Sequence, residues 1–497
     1  MYSQIDISKL KRPGQYALGD IQLVSYSSAD GSATPKRVSI KSQVLEINIQ
    51  ESINHKTLSG SIVVVDAQNI PNHLPLTGHE RLEFKLFTPG TSRGFDFTSE
   101  TGNPMYIYKI EARQGLGPRV QTYILHFCSK EMMRNELKRV NQSFDENIDD
   151  MILSILRTQL ESKKTFFLEQ TRDARKIVMP RMRPFDSIQY LCNEAQSGKF
   201  ESAGMYFYET ALGFHLRSLE SLLAITDGSA RPVVAKFVDK PKSIKGGTGE
   251  NDIIKDMQIV DGYSIDSQFD TLQNLRNGVN GSKCVIHDAL YKTFDEYEFD
   301  YHKFFEKSFH TEHDGEGGKT STKSILPLYN DGTGHILSDY KDGKVYYQST
   351  TSNIHNGQDR SNIADIVTKR EAQKKAFDSQ KISLQCRGFT GLSAGDIISF
   401  ELPAYEPAGS DNPLDRDPYM SGRYLVSHIR HKIDTANDYH TMALTCMKDS
   451  VRVGYPEENI DTTTGRELSD SLTVLQYELD KSILDNANAE GQNTILT

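Results

Sequence analysis

Two distant stretches of the sequence share one order of predicted strands and turns, and this duplication constrains the fold more than any other feature. The later stretch contains an alternating strand and then a hairpin, in the segments Gly395–Leu402, Tyr424–Ile429 and Tyr439–Lys448. The earlier stretch has the same series in Gly78–Leu86, Tyr106–Ile110 and Thr122–Lys130. Alternation and turns recur in any two antiparallel sheets, and it is the shared order that favours a duplicated β unit over coincidence.

Two further matches extend the predicted repeat. The cysteine of a Cys-x-Lys sequence follows Ile110 by 18 residues in the earlier stretch and Ile429 by 17 residues in the later one. Upstream, Gly60–Ala67 matches Gly281–Ala289, so we predict that both are strands of the repeated unit. A long segment separates Gly281–Ala289 from the next strand of the later unit, which is therefore predicted to carry a large insertion.

Composition narrows the class of protein. A chain of 497 residues is expected to form about two to four domains, and 37% hydrophobic with 25% charged residues is typical of a globular protein. The formal charge of −10 disfavours a nucleic-acid binder, because phosphate contacts need clustered Lys and Arg. The five cysteines are far apart, which favours buried free thiols in a reducing compartment. Neither a signal peptide nor a membrane span is predicted, so we expect a soluble protein made in the cytoplasm.

A small α+β domain is predicted between the two units. Ser143–Glu146 has the sequence of a capping box and predicts the start of a helix. The apolar face of that helix would contain Ile148, Met151, Ile152, Ile155, Leu156 and Leu160. A second helix is predicted from Pro184, and a hairpin would pair Met205–Tyr208 with Phe214–Arg217.

The insertion and the C-terminal segment are predicted from local patterns. The insertion, about 295–378, would contain a hairpin at Asp342–Gly343 and a charged helix over Ser361–Phe377. Near the C-terminus, a Thr462–Gly465 linker precedes a seven-residue leucine seam, which predicts a short helix that contacts another copy or a partner. The residues of this predicted contact are Leu468, Leu472, Leu475 and Leu479.

Candidate chemical sites are weak throughout the sequence. Gly317–Thr320 resembles the end of a phosphate-binding loop, but His313 stands where the first glycine is required. A metal cluster of His302, His310, His313, Asp314 and Glu316 lacks helical ligand spacing and is better explained as a solvated loop. The carboxylates Glu51, Asp66 and Asp288 could be imagined as an acid/base pair but are interpreted as scaffold residues. Asp66 and Asp288 occupy equivalent positions in the predicted repeat, which favours a shared turn or cap role. We therefore predict no catalytic, cofactor-binding or metal-binding residue and no cofactor.

Three motifs carry a resemblance to a known family. They are Gly388–Ile398 before the last strands, Arg183–Ile188 at the second helix, and Asp270–Gly278. With these motifs, which lie within residues 20–452, the chain resembles the central baseplate hub proteins of T-even-type contractile-tail phages, within the phage hub and late-control family.

The resemblance implies a structural, non-enzymatic virion protein, located in the tail baseplate and assembled in the host cytoplasm. It implies a homotrimer whose two barrels per chain form a ring with pseudo-six-fold symmetry. This ring would join a six-fold tail tube, or a tube-initiator protein, to a three-fold central spike. DNA would pass through without specific binding, and nothing would insert into a membrane. Tape measure and baseplate wedge proteins are further candidate partners.

The resulting fold prediction is mixed and mainly β, with two similar tube-type β-barrel domains, a small α+β domain and an insertion in the second barrel. The predicted division of the chain is an arm (1–19), a first barrel (20–137), the α+β domain (138–240), a second barrel (250–294 and 379–452), the insertion (295–378), and a linker with a C-terminal helix (453–497).

Two alternative functions stay open at this stage. One is a tail-tip peptidoglycan hydrolase that uses the insertion, with His310 and Glu316 as its candidate residues. The other is the hub of a bacterial contractile injection system, which the sequence separates poorly from a phage hub.

Overall fold

The fold is mainly β. The computed structural model describes residues 9–25, 35–74, 76–200, 202–225, 229–239, 250–289, 291–312, 323–326, 335–350, 360–404, 416–452, 458–461 and 465–468. Strands account for 45% of the structure and helices for 22%, which confirms the predicted class. Within the described ranges, no helix is both long enough and apolar enough to cross a lipid bilayer.

The first part of the chain is almost entirely strand. In chain order its elements are β1 (Ala17–Leu18), β2 (Gln22–Ser25), β3 (Lys36–Ser39), β4 (Val44–Ser52), β5 (Ser59–Asp66), α1 (Ile70–His73), β6 (Arg81–Phe87), β7 (Gly94–Phe97), β8 (Met105–Gly117) and β9 (Val120–Ser129).

A mixed α+β segment follows. Its elements are α2 (Lys130–Leu137), β10 (Ser143–Glu146), α3 (Ile148–Ser154, continued by a π-helical turn at Ile155–Gln159), β11 (Phe166–Leu168), β12 (Arg175–Val178), α4 (Pro184–Glu194), β13 (Met205–Thr210), β14 (Gly213–Ser218) and α5 (Leu219–Leu223).

The remaining elements include a second group of long strands, interrupted by an insertion. They are β15 (Val233–Val238), α6 (Glu250–Gln258), β16 (Val260–Ser267), α7 (Thr271–Arg276), β17 (Gly281–Asp288), β18 (Thr293–Asp300), α8 (Tyr301–Phe305), β19 (Lys323–Ser324), β20 (Val345–Thr350), α9 (Arg360–Asp378), β21 (Gln380–Arg387), β22 (Ile397–Glu401), β23 (Gly422–Asp434), β24 (Tyr439–Lys448), β25 (Ser450–Val451), β26 (Glu458–Asp461) and β27 (Gly465–Leu468).

Two groups of strands have the same neighbour order. In the first repeat the order is β4-β5-β9-β8-β6-β2, and in the second repeat it is β16-β21-β24-β23-β22-β15. The first five strands of each order pair antiparallel, whereas the sixth strand differs: β2 pairs antiparallel with β6, and β15 pairs parallel with β22. The register shifts also coincide: β8 has one between Ile107 and Lys109, and β23 has one between Val426 and His428. Since a bulge at one position of a ladder is a specific feature, two repeats that share it have corresponding backbones.

The same turn opens β6 and β22. In the first repeat the Glu80 carboxylate accepts the Thr77 N–H at 2.7 Å, and the Glu80 carbonyl accepts the Ile107 N–H at 3.0 Å. In the second repeat Asp396 accepts the Ser393 N–H at 3.0 Å, and its carbonyl accepts an N–H from β23 at 2.9 Å. The motif before β22 is therefore a turn that the two repeats share.

The structure corrects the predicted match between the repeats. β17 (Gly281–Asp288) lies in a separate three-stranded sheet with β18 and β20, so its predicted equivalence to β5 is wrong. The strand that corresponds to β5 is β21, because each pairs with the last long strand of its repeat. The insertion therefore begins near Thr271. The Cys-x-Lys match is also one residue out of register, since Cys446 corresponds to Phe127 and not to Cys128.

The predicted capping box is wrong as well. Ser143–Glu146 forms β10, which pairs antiparallel with Arg175–Val178, and the helix begins at Ile148. Its predicted apolar face is buried in one core with α4, in the residues Ile148, Met151, Ile152, Ile155, Leu156 and Leu160. The helix from Pro184 and the hairpin of β13 and β14 are confirmed. The helix predicted over Ser361–Phe377 is confirmed as α9, whereas a 3-10 turn replaces the hairpin predicted at Asp342–Gly343.

Each repeat has its own hydrophobic core. At one pair of corresponding positions, the small and the large residue are on opposite strands in the two repeats. In the first repeat Gly60 lies opposite Phe127, and in the second Ile382 lies opposite Cys446 at the corresponding positions. A small residue thus faces a large one in both repeats, with the order reversed. The five cysteines are buried free thiols, as predicted.

Candidate functional site at the junction of the two repeats

One strand pair joins the two repeats into a continuous sheet. Glu46–Ser52 of β4 pairs antiparallel with His428–Asp434 of β23. Side chains reinforce the pairing: the Lys432 Nζ lies 3.1 Å from a Glu46 carboxylate oxygen, and Arg430 donates to the Asn48 amide oxygen at 2.8 and 3.0 Å. The two repeats therefore share backbone hydrogen bonds rather than a loose surface contact.

A second set of contacts links the two repeats outside the strand pair. The N–H of Thr88 donates to the Thr390 hydroxyl at 2.8 Å, and the N–H of Thr390 donates to the Thr88 hydroxyl at 3.0 Å. Both threonines are buried. The ring of Phe95, from the first repeat, packs edge-on against His431 of β23 with centroids 5.1 Å apart. The junction thus includes contacts beyond the strand pair itself.

Glu51 is a buried carboxyl group at the centre of this junction. One of its oxygens accepts the Ala211 N–H at 2.9 Å, from the turn between β13 and β14, and the other accepts the Ala394 N–H at 3.1 Å. Burial raises the pKa of Glu51 to about 8, although both hydrogen bonds lower it. One side chain thereby connects both repeats and the α+β segment, which agrees with its predicted scaffold role.

The stability of the wild-type chain relative to a Glu51→Gln variant should depend on pH. Between pH 4.5, the usual carboxyl value, and pH 8, the folded state keeps a proton that the unfolded chain releases. The free energy of unfolding should therefore fall as the pH rises through this window, with a limiting slope of about 1.4 kcal/mol per pH unit. Glutamine does not titrate, so denaturant titrations at several pH values should show the two curves converging or crossing. Parallel curves would contradict the assignment.

A buried ion cluster attaches the α+β segment to the first repeat. Lys164 lies between Glu131 of α2, with Nζ to Oε2 at 2.9 Å, and Glu209 of β13. Burial raises the pKa of Glu209, whereas Lys164 lowers the pKa of Glu131 despite the burial of that carboxyl. Glu209 also accepts the Leu58 N–H at 2.9 Å, immediately before β5. These charges are partners in a structural network.

The insertion is held against the second repeat by another buried group, Asp449. His310 approaches its Oδ2 with Nδ1 at 2.8 Å and approaches the Phe305 carbonyl with Nε2 at 2.7 Å. Asp449 also accepts the N–H of Thr311 at 3.0 Å. Although burial raises it, His310 and Thr311 together hold the pKa of Asp449 below its usual value. Because both ring nitrogens of His310 are engaged and the residue is buried, its environment is that of a structural histidine.

The remaining predicted residues are placed as follows. Asp66 caps α1 by accepting the Ile70 N–H at 2.8 Å, and Asp288 accepts the Tyr291 N–H at 3.1 Å, so both have the predicted turn or cap role. They are not equivalent, because the residue that corresponds to Asp66 is Gly388. His302 is half-buried, and its burial lowers its pKa. The phosphate-loop-like segment and three members of the metal cluster, His313, Asp314 and Glu316, lie outside the described residues.

The leucine seam differs from its prediction where it can be described. Leu468 ends β27, which pairs with β26 in a two-stranded sheet, so it is not the start of a helix. Leu472, Leu475 and Leu479 lie outside the described residues. In the described part of the chain, no group of three or more His, Cys, Asp or Glu side chains is arranged to hold a metal ion.

The sequence singled out Glu51 as a scaffold residue, but it revealed neither the partners of Glu51 nor the role of Lys164. Glu51 and Lys164 stand in ordinary alternating or loop segments, and their partners lie 160 and 45 residues away along the chain. The one available signal was a charged residue at an inward position of a strand, since an unpaired buried charge is unfavourable and implies a partner.

The chain is similar in structure to solved phage tail proteins and to components of type VI secretion systems. A tail protein from Neisseria meningitidis is 9% identical, with 88% of this chain and 97% of that chain covered and a TM-score of 0.47. The 43 kDa tail protein of prophage MuSo2 from Shewanella oneidensis is 9% identical, with 86% and 98% covered and a TM-score of 0.48. An E. coli component of the type VI secretion system, described as structurally similar to T4 bacteriophage tail proteins, is 10% identical, with 83% and 75% covered and a TM-score of 0.38.

These proteins are of the class that the sequence resemblance names. No protein-family model matches the chain, and no curated protein matches it. The identities are at most 10%, and the TM-scores are below 0.5.

Proposed function

We propose that this chain is a structural subunit of a phage tail tip, the central hub of a contractile-tail baseplate. The observation that supports this most directly is the duplication, with five antiparallel strands in the same order in each repeat and the repeats joined edge to edge through β4 and β23. A chain with two side-by-side copies of one unit has the form needed to match partners of different symmetry.

The duplication would allow a trimer to match a partner with six-fold symmetry. Three chains with two similar units each present six near-equivalent surfaces, while the unlike segments attached to the two units keep three-fold symmetry elsewhere. The first repeat is followed by the α+β segment, and the second is interrupted by the insertion from about 271 to 378. We therefore propose that one face of the trimer contacts a six-fold tail tube or tube initiator and that the other contacts a three-fold central spike.

The repeats are proposed to be tube-type barrels. In the second repeat an isolated parallel bridge between Val238 and Ile259 connects the two ends of the strand order, β15 and β16, which supports a closed arrangement of six strands. The proposed division assigns the first barrel to 20–137 and the second to β15, β16 and β21–β24. With a formal charge of −10, the chain would let DNA pass through such a ring without binding it.

His310, one of the two candidate residues of the hydrolase alternative, is buried and bonded at both nitrogens. The other candidate, Glu316, lies outside the described residues. The hub of a bacterial contractile injection system would need the same ring. Neighbouring genes for capsid and terminase proteins would identify the phage hub, and their absence beside secretion genes would favour the injection system.

The trimer is tested by light scattering of the purified full chain over a concentration series. We expect a mass near 168 kDa, three times the 56.0 kDa of one chain. A chain that stays at 56.0 kDa, even when mixed with tail-tube and spike proteins, would contradict the hub proposal.

A double variant with Leu472 and Leu475 changed to serine tests the leucine seam. Loss of the trimer would show that the seam contributes to assembly, and an unchanged mass would exclude that contribution.

A further inference from the structure

A cavity lies where the two repeats and the α+β segment meet. Its volume is about 180 Å³, which leaves room for a ligand of several atoms, because roughly 10–15 Å³ already admits one water molecule. All three parts of the chain line it, through Arg93 of the first repeat, the turn of Ser393–Asp396 before β22, and side chains of β13 and β14. A second cavity of about 500 Å³ shares two of its lining residues, Arg217 and Arg231.

The two shared arginines have no carboxylate partner. Arg217 and Arg231 are both partly buried, and neither guanidinium group forms an ion pair or a hydrogen bond with any residue that the structure describes. Their backbones are held in place, since Arg217 lies in β14 and the Arg231 N–H donates to the Leu223 carbonyl at 2.9 Å. A partly buried cation without a counter-charge is unfavourable, and an anionic ligand in the cavity would supply one.

Tyr208 adds a buried donor without a partner. It exposes only 2% of its surface and lines the smaller cavity. A buried tyrosine usually bonds through its hydroxyl, yet in the described part of the chain the Tyr208 hydroxyl has no hydrogen-bond partner. The hydroxyl lies against Gly395, where an added Cβ would be 2.5 Å from its oxygen. Burial raises the pKa of Tyr208, so the hydroxyl keeps its proton and can donate it to a ligand.

Positive charge exceeds negative charge in the smaller cavity. Three arginines line it, whereas Asp396 is the one carboxylate among the described lining residues and lies 3.8 Å from Arg93. His215, which also lines the cavity, is neutral at physiological pH, because burial, together with Arg217 and Arg231, lowers its pKa to about 3. The cavity is therefore positive within a chain whose formal charge is −10, and it attracts anions.

We propose that this junction cavity binds a phosphate group, either of inorganic phosphate or of a small phosphomonoester. A carboxylate has two oxygens in one plane and is satisfied by a single guanidinium fork, whereas a phosphate group presents three or more acceptor oxygens in different directions. A tetrahedral oxyanion can therefore accept from Arg93, Arg217 and Arg231 and from the Tyr208 hydroxyl together. The bound group connects the first repeat, the α+β segment and the second repeat, so it stabilises the folded chain.

Calorimetric titration of the full chain with inorganic phosphate tests the site. We expect saturable binding of one phosphate per chain, and a melting temperature that rises with phosphate but not with sodium chloride of equal ionic strength. Acetate should bind at least about tenfold more weakly, because it has fewer acceptor oxygens. No saturable binding would overturn the proposal, and so would acetate that binds as tightly as phosphate, which would instead indicate an acidic side chain of a partner.

A phosphomonoester distinguishes the two sources of the phosphate group. Glycerol 3-phosphate that binds more tightly than phosphate would support a phosphomonoester, with its organic part in the larger cavity beside Phe200 and Ile225. Equal or weaker binding, with phosphate itself bound, would support inorganic phosphate as the ligand.

Substitutions of the lining residues locate the binding in this cavity. Arg217→Ala and Arg231→Ala should each weaken phosphate binding by about tenfold or more, since each removes a charged hydrogen-bond donor. Arg119→Ala, at an exposed position of the β8–β9 hairpin, is the matched control and should bind phosphate like the wild type. Without phosphate, Arg231→Ala should melt at the same temperature as the wild type or above it, because its guanidinium group has no partner to lose.

Tyr208→Phe is a second variant that keeps the buried ring and removes only the hydroxyl. It should weaken phosphate binding by about fivefold and leave the melting temperature without phosphate unchanged. If phosphate binds equally well to Tyr208→Phe and to the folded arginine variants, it binds elsewhere and the proposal is overturned. All of these measurements are made on the wild-type chain and its single variants, so either result leaves the hub proposal unaffected.

Discussion

Replacing Lys164 with alanine should lower the free energy of unfolding by about 3–5 kcal/mol, because the change leaves two carboxylates buried without their shared cation. The side chains of Lys164, Glu131 and Glu209 expose only 5%, 4% and 0% of their surface. Water therefore cannot replace the lost ammonium group. Although burial lowers it, the charges of Glu209 and Glu131 raise the pKa of Lys164, so the native residue stays charged over the whole range of physiological pH.

The neighbouring residue provides a matched control. Lys163 is exposed, so Lys163→Ala should change the free energy of unfolding by less than about 0.5 kcal/mol. Both variants are compared with the wild type by denaturant unfolding followed by circular dichroism. If Lys164→Ala unfolds at the same denaturant concentration as Lys163→Ala, the cluster does not hold the α+β segment on the first repeat.

Placing the residue pair of the second repeat at the corresponding positions of the first repeat should show that these two positions are energetically coupled. Phe127→Cys alone removes a fully buried ring and should lower the free energy of unfolding by about 3–5 kcal/mol. Gly60→Ile alone should also be strongly destabilising, because a Cβ at Gly60 would lie 2.3 Å from the Phe127 ring and 2.3 Å from the Asn48 carbonyl. The double variant reproduces the Ile382 and Cys446 pair of the second repeat.

We expect the loss in the double variant to be smaller than the sum of the two single losses by about 1–3 kcal/mol, because the added isoleucine fills the space that the ring vacates. The backbone contact with Asn48 remains, so full recovery is not expected. A double-mutant cycle of denaturant unfolding measures the coupling. If the two single losses simply add, positions 60 and 127 are not coupled by packing across the strands.

The strands of both repeats were predictable because their signals are local. Alternation of apolar and polar residues, prolines at strand ends and polar turns each depend on a few neighbouring residues. For the same reason the helices from Ile148 and Pro184 could be placed within a few residues of their observed limits. The order of elements was enough to reveal the duplication.

Pairing partners were less predictable because they depend on distant parts of the chain. Gly281–Asp288 has the local pattern of a barrel strand, yet it pairs with β18 and β20. Ser143–Glu146 has the sequence of a helix cap, but pairing with β12 and burial of Phe144 favour a strand there. A weak local preference is overridden when a different conformation buries more apolar surface and satisfies the backbone.

The sequence by itself therefore determined the mainly β class, the duplicated series of strands and the positions of the main helices. Only the tertiary structure decided which strands are equivalent, how β4 joins β23, and that Glu51 and Lys164 are buried at the contacts between segments. The physical reason is that secondary structure follows short-range periodicity, whereas strand pairing and the pairing of buried charges are set by residues far apart in the chain that meet only when the cores have formed.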